Sequence, residues 1–192
     1  MDNKVVSEIL QTFSAHQRAF TIEEALAFAD SDCGITAEDL NAAFMNYPQF
    51  MCLRRADPGG ALLIAKKDVI RWLINLNIRL AIAGQCRLNK RKLSLLMDSI
   101  GVVGDTDVAL EAIVRFGQQF GLVGYAYTQD QYVFPIAHIL SFTPRSTVMA
   151  ATRMIYDLLD KNGINLSFED DPKQMILTGL STLNPKVAQV LQ

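Results

Sequence analysis

The sequence is poor in the features that most often announce chemistry. It has only two histidines, His16 and His138, and neither lies near a nucleophile motif. It has no glycine-rich phosphate loop of the P-loop or dinucleotide type. No catalytic function and no cofactor are therefore expected. The three cysteines, Cys33, Cys52 and Cys86, are widely spaced and form no CxxC pair. They read as reduced thiols of a cytoplasmic protein, with no metal centre. Long apolar runs are missing as well. The most apolar stretch, Val69 to Ala83, is broken by Arg71, Asn75, Asn77 and Arg79, so no membrane span is expected. The start, MDNKVVSEIL, lacks the basic opening, apolar run and small-residue cleavage site of a secretory signal. Charge is also scarce, at 20% of residues against 50% hydrophobic. That balance excludes a disordered chain and leaves apolar surface for a partner or a second copy.

What charge there is falls unevenly. Residues 1–53 hold two basic and eight acidic side chains, residues 54–98 ten basic and three acidic, and residues 99–192 six basic and nine acidic. A basic middle between acidic ends suits an anion-binding band or a self-complementary interface.

Along the chain, Val5, Val6, Ile9, Leu10 and Phe13 have helical spacing. Arg18-Ala19-Phe20 reads as a short extended piece. Thr21 with Glu24 makes a capping box for a second helix, which stops at Asp30-Ser31-Asp32-Cys33-Gly34. Thr36 with Asp39 starts a third helix that Pro48 ends. FMCLRRADPGGALLIAKK then places two apolar runs around Asp57-Pro58-Gly59-Gly60, a β-hairpin with its turn. A long helix, Asp68 to Gln85, is apolar on most sides.

The order then recurs at an offset of 68. Gln85-Cys86-Arg87-Leu88-Asn89 aligns with Gln17-Arg18-Ala19-Phe20-Thr21, which gives Asn89 the N-cap position. Leu93, Leu95, Leu96 and Met97 align with Ala25, Ala27, Phe28 and Ala29. After a two-residue insertion Thr106 aligns with Thr36, Leu110 with Leu40 and Phe120 with Phe50. A second hairpin runs from LVGYAY through Thr128-Gln129-Asp130 to QYVFPI. From Ser141 the pattern changes to helices opening at Thr143-Pro144, near Lys173 and at Asn184-Pro185.

The repeated order of helix, short strand, helix, helix and hairpin resembles the winged-helix superfamily, whose hairpin is the wing. The resemblance lies in element order and lengths. It implies a mainly α fold with small β-hairpins (α+β), built as two winged-helix-like units in tandem: residues 1–67, residues 68–140 with the linking helix, and a helical extension over 141–192. It also implies DNA as a partner, held through non-specific phosphate contacts.

The residues expected to make those contacts are the cations of the basic middle. Lys90, Arg91 and Lys92 crowd the first turn of a helix, where the dipole favours anions. Arg54 and Arg55 stand on the first wing strand, and Lys66 and Lys67 at the end of the second. Arg87 and Arg115 complete the set. The third helices argue against ordinary base-specific reading, because the first is acidic and the second can contact bases only through its C-terminal half. The first offers Glu38, Asp39, Asn41 and Asn46, and the second Asp107, Glu111, Arg115, Gln118 and Gln119. Asp30 with Asp32, and Asp105 with Asp107, read as helix-start caps and not as metal ligands. Glu23-Glu24 aligns with Arg91-Lys92, a reversal of sign that two copies or an acidic partner would exploit. The alternative expectation is thus a protein adaptor or homodimer. Tandem winged-helix subunits that clasp the kleisin of chromosome-organising complexes are similar in size and architecture.

Overall fold

The computed structural model describes residues 3–29, 34–55 and 60–142. The first hairpin's turn at Asp57-Pro58-Gly59, the stop at Asp30 to Cys33, and every helix expected after Phe142 lie outside the described residues. Helices alternate with two small antiparallel sheets: α1 (Asn3–Ala15), β1 (Phe20–Thr21), α2 (Ile22–Phe28), α3 (Ala37–Met45), β2 (Phe50–Arg54), β3 (Leu62–Ala65), α4 (Lys66–Ile82), β4 (Arg87–Leu88), α5 (Lys90–Leu96), α6 (Asp107–Gln119), β5 (Gly124–Ala126), β6 (Gln131–Val133) and α7 (Pro135–Phe142). The sheets have equivalent strand orders, β1-β3-β2 and β4-β6-β5. The described chain is therefore α+β. No described helix is long and apolar enough to cross a membrane.

By backbone proximity the chain divides into two compact units, Met1–Val69 with Ser94–Ile113, and Ile70–Leu93 with Val114–Gln192. The order of elements and the proximity of backbone thus partition the chain differently. In the first unit the Ala19 amide donates to Ile100 O at 2.7 Å, a bond that ties residues distant in sequence. Its core is aromatic. Phe20 stacks on Phe13 at 4.5 Å between ring centroids and meets Phe44 and Phe50 edge-on at 5.6 and 5.9 Å. Val6, Ile9, Leu40 and Leu63 close around these rings. The edge-on contacts set the negative face of one ring against the positive edge of another, each worth about 0.5–1.5 kcal/mol beyond area burial.

Both capping boxes form. The Glu24 amide donates to Thr21 Oγ1 at 3.1 Å, and the Thr21 amide donates to Glu24 Oε2 at 2.8 Å. Thr36 and Asp39 repeat the exchange at 3.2 and 3.1 Å. The Thr36 hydroxyl also donates to Asp39, and these bonds hold the Asp39 carboxyl below its ordinary range.

The second unit is organised by α4. Ile70, Leu73, Ile74, Leu76 and Leu80 are buried, while Asn75 and Arg79 are exposed and Arg71 is half-buried. Spacing by four puts those three polar residues on one face. Asn77 falls on the other and is fully buried. Gly117 lets α6 approach closely: a Cβ there would lie 2.6 Å from Leu73 Cδ1 and 2.8 Å from Val123 Cγ1.

Several expectations are corrected. The long helix begins earlier and ends at Ile82, short of Gln85. Gly84 takes a left-handed φ of 65° there, a conformation without steric cost only for glycine. Lys66 and Lys67 do not end the second wing strand but open α4. The Lys66 amide still donates across to Gln49 O at 2.8 Å, so the ladder and the helix meet at this residue. Phe120 is buried like Phe50 but sits just after α6, not on a strand. With no proline in its path, α6 runs four residues longer than α3 and stops at Gly121, whose φ is 65°. Pro135 lies outside the last strand. It opens α7, where its fixed φ and missing amide suit a helix's first position.

Candidate nucleic-acid interface

Asn89 builds the densest cationic feature. Its side-chain oxygen accepts from the Lys92 amide at 2.9 Å and its carbonyl from the Leu93 amide at 3.1 Å, which starts α5 where the sequence places it. Lys90, Arg91 and Lys92 are all exposed in this first turn. α2, by contrast, has Glu23 and Glu24 at the equivalent place, with Glu24 closing a capping box. No acidic side chain occupies the first turn of α5. Three cations near the positive end of a helix cost about a few tenths of a kcal/mol each, and a bound anion reverses that sign.

Arg87 belongs to the same unit. It is exposed on β4, opposite Val133, and its Nη1 donates to the Gln129 side chain in the turn of the second hairpin. Arg115 is exposed on α6. In the first unit, Arg54 ends β2 after a break in the β2–β3 register between Cys52 and Arg54, and it is half-buried. Arg55 follows it and is exposed, while Lys66 and Lys67 are half-buried at the start of α4.

The chain matches no protein-family model, no curated protein and no solved structure.

The acidic surfaces are equally definite. Glu38 and Asp39 are exposed on α3. The bonds that lower the Asp39 pKa favour the charged carboxylate in that turn. On α6, Asp107 and Glu111 are exposed in the first half and Gln118 and Gln119 in the last turn. The Asp107 amide donates to Asp105 Oδ1 at 3.3 Å, the arrangement of a helix-start cap. Among the described residues no group of three His, Cys, Asp or Glu side chains is arranged to hold a metal ion.

Two features escaped the sequence reading. Cys86 Sγ lies 3.6 Å from His138 Nδ1, a contact between residues 52 apart that no local pattern announces. The second hairpin carries a tyrosine cluster: the Tyr125 and Tyr127 rings meet edge-to-face at 4.9 Å, and Tyr125 and Tyr132 meet in a tilted contact at 5.1 Å. Its signal was present in GYAY followed by QY. Tyr125 donates its hydroxyl to Asp130, which pushes its pKa up to about 12.

Proposed function

We propose that this chain is a non-enzymatic, DNA-binding accessory or regulatory protein of the cytoplasm, built as two winged-helix-like units in tandem with a C-terminal extension. The fold part of this reading is supported by the recurring element order and by the shared strand order of the two sheets. The free thiols of Cys52 and Cys86 fit a reducing compartment.

The observation that carries the function is the exposed Lys90-Arg91-Lys92 turn, a cationic helix start that a phosphate relieves. Contacts of this kind set affinity and not sequence choice. The acidic first turns of α3 and α6 repel phosphate, which leaves Arg115, Gln118 and Gln119 as the side chains of the third helices suited to base edges. The test is the triple charge reversal Lys90→Glu, Arg91→Glu, Lys92→Glu. DNA retention on a shift gel at low salt is lost, and the slope of log affinity against log salt falls by about 3 for duplex DNA. Unchanged retention refutes the assignment of this turn.

A second reading, a protein adaptor or homodimer, is favoured by a different observation. Leu95, Leu96, Val103 and Val108 lie within a short stretch of the first unit and are all exposed. Monomeric proteins rarely expose a contiguous apolar patch of more than a few hundred Å², and a patch joining these side chains would mark an interface. Size-exclusion chromatography with light scattering, together with a native pull-down, tests it. A lone monomer without a stable partner removes this reading.

A further inference from the structure

Tyr127 is 87% exposed, the most open large apolar side chain among those described. A ring so placed gains almost nothing for folding, because the hydrophobic term scales with area removed from water. It is nonetheless held in place. Tyr125 meets it edge-to-face at an interplanar angle of 86°, Tyr132 packs on Tyr125, and the Tyr125 hydroxyl is fixed by Asp130. Asp130 itself turns the chain in the left-handed region, with φ 49° and ψ 47°. The result is an open aromatic surface with a braced neighbour.

Positive charge is carried to the same turn. Arg87 reaches Gln129, two residues from Tyr127 in sequence, and Lys90, Arg91 and Lys92 follow Arg87 in the same unit. Asp130 is the one acidic side chain of the hairpin, and its carboxylate is engaged by Tyr125.

A ring that stacks needs an exposed base face. A duplex hides its base faces within the stack, whereas an unpaired strand presents them. We infer that the second hairpin binds single-stranded nucleic acid, with Tyr127 stacking on an unpaired base while Arg87 and the α5 cations hold the flanking phosphates. This deepens the phosphate-binding reading above and rests on it.

The experiment uses the full chain and fluorescence anisotropy with labelled oligothymidylate, oligouridylate and a DNA duplex of equal length, at low salt. Tyr127→Ala weakens binding of the single strands about 5- to 150-fold, the equivalent of about 1–3 kcal/mol per stacked base. Tyr127→Phe retains the ring and the affinity, and duplex binding is unchanged in both variants. Preference for one of the two single strands shows whether DNA or RNA is the source of the base. If the α5 charge reversal weakens every ligand and Tyr127→Ala weakens none, the phosphate reading stands and the stacking inference falls. Equal loss for duplex and single strands in Tyr127→Ala also overturns it. If the wild-type chain binds none of the three, both readings fall together.

Discussion

Asn77 is fully buried on α4, yet all its amide atoms have partners. Nδ2 donates to Leu73 O at 2.8 Å and to Leu122 O at 2.9 Å, and Oδ1 accepts from the Ala137 amide at 3.2 Å. Only this orientation of the amide matches two acceptors and one donor. The Ala137 amide is one of the unpaired donors of the first turn of α7, so Asn77 caps that helix from a different element. Asn77→Ala removes all three bonds. Leu73 O keeps its intrahelical partner, but Leu122 O and the Ala137 amide are left without one. At about 1–3 kcal/mol for each buried orphan, the loss is about 2–6 kcal/mol. That is a large share of the roughly 5–15 kcal/mol typical of a folded domain. Asn77→Asp is worse at neutral pH, because it sets a buried carboxylate against two carbonyls. Burial raises the folded pKa of the introduced carboxyl above its unfolded value. The destabilisation therefore eases as pH falls through that raised value and the carboxyl regains a donor. Urea unfolding followed by the fluorescence of the single tryptophan, Trp72 in α4, measures both variants. A loss under about 1 kcal/mol for Asn77→Ala refutes the reasoning.

Thr21→Ala breaks the α2 capping box and lowers stability by about 0.5–2 kcal/mol in the same assay; no change means the box contributes nothing. Gly117→Val forces a branched side chain against Leu73 and Val123 and costs about 1–3 kcal/mol, so a neutral result contradicts the close approach of α6. Burial pushes the Cys52 thiol above its ordinary value of 9.0, so native Cys52 alkylates more slowly than in the urea-unfolded chain, and equal rates by peptide mass mapping refute the burial. The same shift makes a sign prediction. The stability linked to Cys52 is intact below 9.0, where both states hold the proton, and is lost as pH rises towards the folded value; Cys52→Ser removes that part of the pH dependence.

The parts of the fold legible in the sequence were those fixed by neighbours in the chain. Thr21 and Thr36 sit three residues before an acidic partner, and the exchange of bonds needs nothing more distant. Asn89 was readable for the same reason. The second hairpin was readable from two short β-prone runs around Thr128-Gln129-Asp130. What was hidden depends on residues far apart. Asn77 reads as a polar interruption of an apolar run until Leu122 and Ala137 are brought beside it. Cys86 and His138 give no local sign of meeting. α7 is hidden in the sequence because a single residue, Phe134, separates β6 from Pro135, so the proline reads as part of the hairpin although it is the first residue of a helix. Lys66 was misplaced because its amide keeps to the ladder while its backbone has already turned into α4.

The difference between the starts of α2 and α5 says most about the candidate site. At α2 the first turn carries Glu23 and Glu24, the cap is reciprocal, and every local term favours the helix. At α5 the same position carries Arg91 and Lys92, Asn89 caps alone, and the local charges oppose the dipole. A sequence at ease with its fold has no need of that conflict. An unfavourable local term kept at an exposed turn, in the unit that also presents Tyr127 to solvent, is the pattern expected of a surface shaped for an anionic ligand. Placing glutamates at Arg91 and Lys92 therefore makes opposite demands on stability and binding. Arg91→Glu with Lys92→Glu raises the unfolding free energy by about a few tenths of a kcal/mol per charge, read as a higher urea midpoint, while it abolishes retention of nucleic acid. If that double variant loses stability together with binding, the cations serve the fold and the interface must be sought elsewhere.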